Sequence, residues 1–402
     1  MRIVFIASMS GYPWGGSEEL WSGTALRLAE AGNEVGACVQ HLAIAHPKHA
    51  QLFEAGIDVH FRKPVLPTLW QRGVRRLFRK PVENPMWRQA VEWLTHQNPD
   101  LVCISQGGFS DGVEWMLLCR KMSLPYVVVA HANAESWWPH DQAGAELSFA
   151  YESARQSFFV AKRNLELLET QTGSKLHNAR VVRNPFNVRY DVSASWPVQT
   201  PDWRLACVGR LEPAAKGQDL LFQVLAQPKW RQRNLKVSLF GSGPCEKNLR
   251  RLVGLLELTN VEFRGQVEDI ERLWREHHGL VLPSRLEGLP ISLVEAMLCS
   301  RMGIVTDVAG NTEIMEDDVT GFVAAAPTVV LFDQALERAW ERRLEWRQMG
   351  LAARKMVIAN VPPDPVKVFA DTLIRLAEGR VEPEPHKPTT VCSSGKSECI
   401  KG

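Results

Sequence analysis

The chain has 402 residues, which favours two domains, because a single hydrophobic core stops growing well below that size. Hydrophobic residues make up 45% and charged residues 23%, the proportions of an ordinary globular protein. With 47 basic against 45 acidic residues the net charge is +2, which argues against a nucleic-acid binder working by bulk electrostatics.

No apolar window of about 18 residues is present, so no membrane span is expected. The cysteines at 38, 103, 119, 207, 245, 299, 392 and 399 form no C-x-x-C pair. They read as buried thiols of a reducing compartment rather than a disulfide framework or a zinc site. The opening "MRIVFIA" is too short an apolar run for a signal peptide and reads as a first strand. The expected location is the cytoplasm, with peripheral contact at the inner face of the membrane.

In chain order, "RIVFIA" leads to a helix over Ser17–Ala31, then "EVGACVQ", "DLVCIS", a helix near 112–122 and "PYVVVAHA". A helix near 145–155, "SFFVA", a helix over Lys162–Thr170 and "ARVVRNP" complete the first half. In the second half "WRLACVGR", "KVSLFGSG", "VEFRG", "HGLVLPS", "GIVTDV" and "TGFVA" read as strands. Helices near 217–227, 244–257, 268–277 and 290–299 separate the first five of them. Continuous apolar strands alternating with helices predict parallel sheets covered on both faces, hence two doubly wound α/β domains. The polar, proline-bearing segment Asn184–Trp203 marks the join. "PDPVKVFADTLIRLAEG" reads as a final helix, and the Pro-, Ser-, Lys- and Glu-rich end has too little to bury to be ordered. The domain division is therefore 1–190, 191–360, a helix in 361–379 and a disordered tail over 380–402.

Open parallel sheets bind ligands beyond the carboxyl ends of their strands. Arg210 and Lys216 follow "ACVG" there, and two cations on one short loop suit a diphosphate, as they also suit a solvated basic loop. Gly241 and Gly243, in the "GSGP" that opens the next helix, let backbone N–H groups approach a phosphate, although many tight turns look the same. Glu246 stands where the last glycine of G-x-G-x-x-G would be, which disfavours a dinucleotide oxidoreductase. Glu287 lies in the loop after "GLVLPS" and Glu295 in the helix that Pro290 opens. One carboxylate can accept from two neighbouring ribose hydroxyls, and the other suits a second sugar; singly, each also reads as a helix-dipole partner or surface residue. In the first half Gly15 and Gly16 let a helix N-terminus face a ligand, with Ser17 as its cap. His131 sits at a strand's carboxyl end, as a cleft residue or a structural one.

"GRLEPAAKG", "FGSGP", "FRGQV", "LPSRLEGLPISLVEAM", "DVAGNTEIM" and "TGFV", in that order, resemble the donor half of the retaining GT-B glycosyltransferases of family four. The likeness is close over Ala206–Ala324 and looser in "GGSEELW", "AHANAES" and "VVRNPFNV". It implies a GT-B architecture: two Rossmann-like domains facing a cleft, with the last helix crossing back to the first. It implies that Arg210 and Lys216 bind the diphosphate, Glu295 the ribose, and Glu287 with the backbone of Gly288, Leu289 and Pro290 the donor sugar. Gly16 would meet the diphosphate from the opposite domain, and His131 would lie near the transferred sugar. The expected partners are a nucleotide-sugar donor and a glycan or glycolipid acceptor, with no metal and no further cofactor. The expected reaction is hexosyl transfer with retained configuration, in polysaccharide biosynthesis. A sugar-nucleotide epimerase and an inactive binding relative are the alternatives.

The stretch Leu69–Leu94 interleaves Arg72, Arg75, Arg76, Arg79 and Lys80 with Trp70, Leu77, Phe78, Trp87 and Trp93. It suits an anionic membrane surface or a phosphate-bearing acceptor, and equally a solvated basic face over a packed helix.

Overall fold

The computed structural model describes residues 1–9, 14–40, 46–62 and 85–380. The first half contains β1 (Arg2–Ala7), α1 (Gly16–Glu30), β2 (Glu34–Gln40), α2 (Pro47–Glu54), β3 (Asp58–Arg62), α3 (Pro85–Gln97) and β4 (Leu101–Gln106). It continues through α4 (Val113–Lys121), β5 (Tyr126–Ala130), α5 (Asp141–Glu152), β6 (Gln156–Phe159), α6 (Lys162–Thr172) and β7 (Ala179–Val181). The strands lie in the order β3-β2-β1-β4-β5-β6-β7. The second sheet begins at β8 (Trp203–Val208) and takes in β9 (Leu235–Phe240), β10 (Val261–Gly265), β11 (Gly279–Leu282), β12 (Met302–Thr306) and β13 (Gly321–Ala324). Its order is β10-β9-β8-β11-β12-β13. Every pairing between these strands is parallel.

Each sheet thus reverses its winding once, between β1 and β4 and between β8 and β11. That switch opens a crevice beyond the carboxyl ends of the two strands. The strands are buried almost throughout, with Ile3, Val4, Phe5 and Ile6 of β1 and Leu280 and Val281 of β11 all at 0% exposure. Helices on both faces give each sheet two apolar layers.

The segment between β7 and β8 contains no helix or strand. The last helix, Pro365–Ala377, lies on the first half: Phe369 meets Phe158 edge-on at 5.2 Å, and Arg27 pairs with Asp364 at 2.9 Å. Gly23 of α1 lets the two helices approach closely there, since a Cβ would meet the Val366 side chain at 3.0 Å. The tail beyond residue 380 lies outside the described residues.

Several elements differ from the sequence reading. β3, "DVHFR", carries an acid, a histidine and an arginine and so did not look like a strand; it pairs as an edge strand with β2. Helices Val329–Glu341 and Trp346–Asn360 were likewise not assigned from the sequence. Ser17 is not the cap of α1. Gly15 is the N-cap, without a side-chain bond, and the Ser17 hydroxyl lies 3.0 Å from the Met9 sulfur.

In the basic aromatic stretch, residues 69–84 lie outside the described residues. The remainder belongs to α3, where Trp87 packs on Trp115 at 4.4 Å and Trp93 stacks on His60 at 5.4 Å. Those two indoles are engaged in holding α3 to α4 and to β3. No helix among the described residues is long and apolar enough to cross a membrane.

Candidate functional site

The crevice between β8 and β11 gathers the residues picked out after those two strands. The β8 loop carries a short helix, Pro213–Lys216, and the β11 loop is laced onto it. The N–H groups of Arg285 and Leu286 both donate to the Ala215 carbonyl, at 2.8 and 3.1 Å. The Arg285 guanidinium clasps Asp219 at 2.6 and 3.0 Å and reaches the Pro213 carbonyl at 2.8 Å. At Gly217, where φ is +65°, a Cβ would sit 2.0 Å from the Pro283 oxygen, so only glycine fits.

This lacing brings Lys216 Nζ to 2.6 Å from Glu287 Oε1, and the Ser284 hydroxyl donates to the same oxygen at 2.7 Å. Glu287 is 5% exposed. A buried carboxylate without a partner would be costly, so here the base and the acid neutralise each other. Arg210 is more open: its guanidinium lies 3.4 Å from Glu212, and its carbonyl accepts from Gln218 at 2.7 Å. Arg210, Lys216 and Glu287 therefore share one loop pair.

Glu295 occupies the second turn of the helix Ile291–Leu298, for which Pro290 is the N-cap. It is 3% exposed. Its Oε1 accepts from the backbone N–H of Asn187 at 2.8 Å and from the Asn187 amide at 2.9 Å. Burial raises its pKa to about 7, the Asn187 bonds pull the other way, and the Glu19 carboxylate of α1 adds to the rise. The acid is thus balanced between its two states near neutral pH.

The glycines of "GSGP" have a cause in the fold itself. A Cβ at Gly241 would lie 2.2 Å from the Gly209 oxygen, and one at Gly243 2.5 Å from the Leu211 oxygen. The Gly241 N–H already donates to the Gly265 carbonyl at 2.7 Å. The turn is small because it lies on the Arg210 loop, and the helix that follows starts at Glu246.

The carboxyl edge of the first sheet faces this crevice. A Cβ at Gly16 would meet Ile291 at 3.3 Å, and one at Gly288 would lie 2.0 Å from the His131 carbonyl oxygen. The Asn164 amide donates to the Glu287 carbonyl at 3.4 Å. Flanking ion pairs join the halves: Arg183 with Glu313 at 3.1 Å, and Arg163 with Asp307. His131 is 7% exposed, and burial lowers its pKa to about 3, so it is neutral at ordinary pH. Its Nε2 lies 3.4 Å from the Ser105 hydroxyl, and its Nδ1 has no partner among the described residues. Glu18 of α1, 5% exposed, accepts from the Trp21 indole at 2.5 Å; burial raises its pKa to about 7.

Asn187, Ser284, Asn164 and Glu18 were not singled out from the sequence. All four stand inside or beside segments that were, yet nothing local marks an asparagine as the partner of a glutamate 108 residues away.

Residues 203–342 match the family described as Glycosyl transferases group 1. Among curated proteins, the chain is 25% identical over 223 residues to an uncharacterized glycosyltransferase of Methanocaldococcus jannaschii, covering 55% of this chain and 60% of that one. It is 31% identical over 134 residues to the alpha-D-kanosaminyltransferase of Streptomyces kanamyceticus, covering 33% of this chain and 34% of that one. The chain thus spans less than two thirds of the length of these relatives. Among solved structures, the Anabaena protein HepE in complex with UDP superposes with a TM-score of 0.70 at 18% identity, over 93% of this chain and 100% of that one. The two parallel sheets have the GT-B fold.

Proposed function

We propose, on the premise that residues 203–342 belong to the group 1 glycosyltransferases, that this protein transfers a sugar from a nucleotide-diphosphate sugar to a glycan or lipid-linked acceptor. The observation that carries this reading is the Lys216–Glu287 pair, 2.6 Å apart at the switch point of the second sheet, with Arg210 on the same loop. A donor offers each group a better partner. Its diphosphate takes Lys216 and Arg210, and a sugar hydroxyl takes Glu287. The ribose hydroxyls lie on Glu295, which accepts them best when ionised.

As the anomeric C–O bond breaks, negative charge grows on the departing diphosphate. Arg210 and Lys216, held in place beforehand by the laced loops, stabilise it; losing one such group costs on the order of 3 kcal/mol, about a hundredfold in rate. The acceptor hydroxyl attacks the anomeric carbon from the face the diphosphate leaves, and the departing phosphate oxygen takes its proton. Configuration is then retained. Neutral His131 and the backbone around Gly288 enclose the transferred sugar. No step requires a metal.

That HepE binds UDP and the Streptomyces kanamyceticus relative is a kanosaminyltransferase supports the donor class. The test is a melting-temperature screen with UDP, GDP, ADP and their sugars, since a ligand bound to the native state raises stability by mass action. One nucleotide series should raise the melting temperature, and Glu295→Ala should abolish the rise and the transfer. NMR of the product reads retention at the anomeric carbon. Donor turned over to an epimer without acceptor, or activity lost in EDTA and restored by a divalent ion, refutes the corresponding part.

A further inference from the structure

The loop after β5 reads Glu135-Ser136-Trp137-Trp138, and its two adjacent indoles are 39% and 62% exposed. Indoles gain much by burial, so a neighbouring exposed pair marks a contact surface. The loop is tied at both ends. Asn133 donates to Gln171 at 2.8 Å, Gln171 donates to the Ala134 carbonyl at 2.9 Å, and the Trp137 N–H donates to that same carbonyl at 3.0 Å. At the far end the His140 ring caps the helix Asp141–Glu152, accepting from Ala143 at 3.2 Å.

The Trp137 ring lies on the loop after β4. A Cβ at Gly108 would come within 3.0 Å of it, and its ring centre is 6.2 Å from that of Phe109. Both loops leave the carboxyl edge that carries His131, so the indoles stand on the first-sheet side of the crevice. The chain that carries them is acidic: residues 131–152 contain Glu135, Asp141, Glu146 and Glu152 and no lysine or arginine, and Arg120 of α4 lies over the Phe149 ring of this stretch at 4.4 Å. That charge repels a phosphate or an anionic headgroup. It suits a neutral pyranose, whose C–H face packs against the negative face of an aromatic ring while its hydroxyls donate to carboxylates.

We propose that Trp137 and Trp138 form a stacking platform for a neutral sugar residue of the acceptor glycan. Its role in transfer rests on the reading above; its binding does not. Trp138 is exposed, so its replacement leaves the fold intact, and Phe keeps a stacking face.

The intact protein and its Trp138→Ala, Trp137→Ala and Trp138→Phe variants are applied to an array of neutral and acidic oligosaccharides. They are also applied to phosphatidylcholine vesicles with and without phosphatidylglycerol. The wild type should bind a neutral oligosaccharide, each Ala variant should weaken it about tenfold, and Trp138→Phe should stay within about threefold. Absence of neutral-glycan binding, unchanged binding by Trp138→Ala, or vesicle binding that depends on Trp138 would overturn the platform. The same proteins are melted with UDP, GDP and ADP, and the nucleotide shift should be equal in all of them. A wild type without any shift defeats the donor-site reading alone, because the glycan array reads the indoles separately.

Discussion

Replacing Asn187 with Ala should move the pH at which a nucleotide sugar binds. Glu295 Oε1 accepts two bonds from Asn187, and the substitution removes the amide at 2.9 Å while leaving the backbone N–H at 2.8 Å. A hydrogen bond to a charged acceptor contributes about 1.5–3 kcal/mol, which at about 1.4 kcal/mol per pH unit is roughly one to two units. Glu295 starts at about 7 in the native protein. In the variant it should therefore titrate at roughly 8–9 and be mostly neutral at pH 7.5. A neutral carboxyl accepts two ribose hydroxyls poorly, so affinity should fall by up to tenfold per pH unit below the carboxyl's pKa. The nucleotide sugar giving the largest melting shift is titrated calorimetrically from about pH 5.5 to 9. Its diphosphate ester stays ionised throughout, and a uracil or guanine ring N–H titrates only at the top of this range and alike with both proteins, so a difference in break between the two belongs to the protein. The wild-type curve should break near 7 and the Asn187→Ala curve one to two units higher. Equal breaks in the two proteins, or a break that survives Glu295→Gln, would refute the assignment of Glu295 to the ribose.

Stability should be nearly level between pH 4.5 and 6.5 and fall on either side. Glu18 and Glu295 have pKa values raised from 4.5 to about 7, so the native state holds protons that the unfolded chain has lost, and their contribution falls as pH rises from 4.5 to about 7. His131 and His278 are lowered from 6.5 to about 3 and about 4, so their contribution falls as pH drops from 6.5 toward those values, and the two pairs offset each other where the windows overlap. Melting curves across this range check the plateau, and Glu18→Gln should make stability rise with pH between 4.5 and 6.5. Lys216→Met should lower the transfer rate about a hundredfold and destabilise the protein by about 3 kcal/mol, because it leaves Glu287 buried with only Ser284 as a partner; denaturant titration reads the second effect. Gly288→Ala should force the halves apart, since its Cβ would lie 2.0 Å from the His131 oxygen. Scattering should show a larger radius of gyration, and transfer should fall more than nucleotide binding does; an unchanged radius would count against contact at this point.

Much of the architecture was legible in the sequence because parallel strands buried on both faces are written as continuous apolar runs. β3 was missed because an edge strand is half exposed and tolerates Asp58 and His60, while Arg62 is buried by donating to the Cys38 and Ala7 carbonyls, a partnership the sequence does not show. The candidate site was legible only as positions after strands: Arg210, Lys216, Glu287 and Glu295 each follow β8 or β11. The backbone that crowds Gly241 and Gly243 was not legible, since a glycine required by a neighbouring backbone looks the same in sequence as one required by a phosphate.

Read alone, the order of residues was enough to settle the buried strands, which edge of each sheet carries the polar loops, and which charges stand on those loops. Those features depend on periodicity and turn chemistry within a few residues of chain. The tertiary structure decided the pairings: Lys216 with Glu287 across 71 residues, Asn187 with Glu295 across 108, and Gly288 against His131 from the other half. Such contacts follow from strand order, which sets β8 beside β11 and turns one carboxyl edge toward the other, and strand order is fixed by how two whole sheets bury their faces.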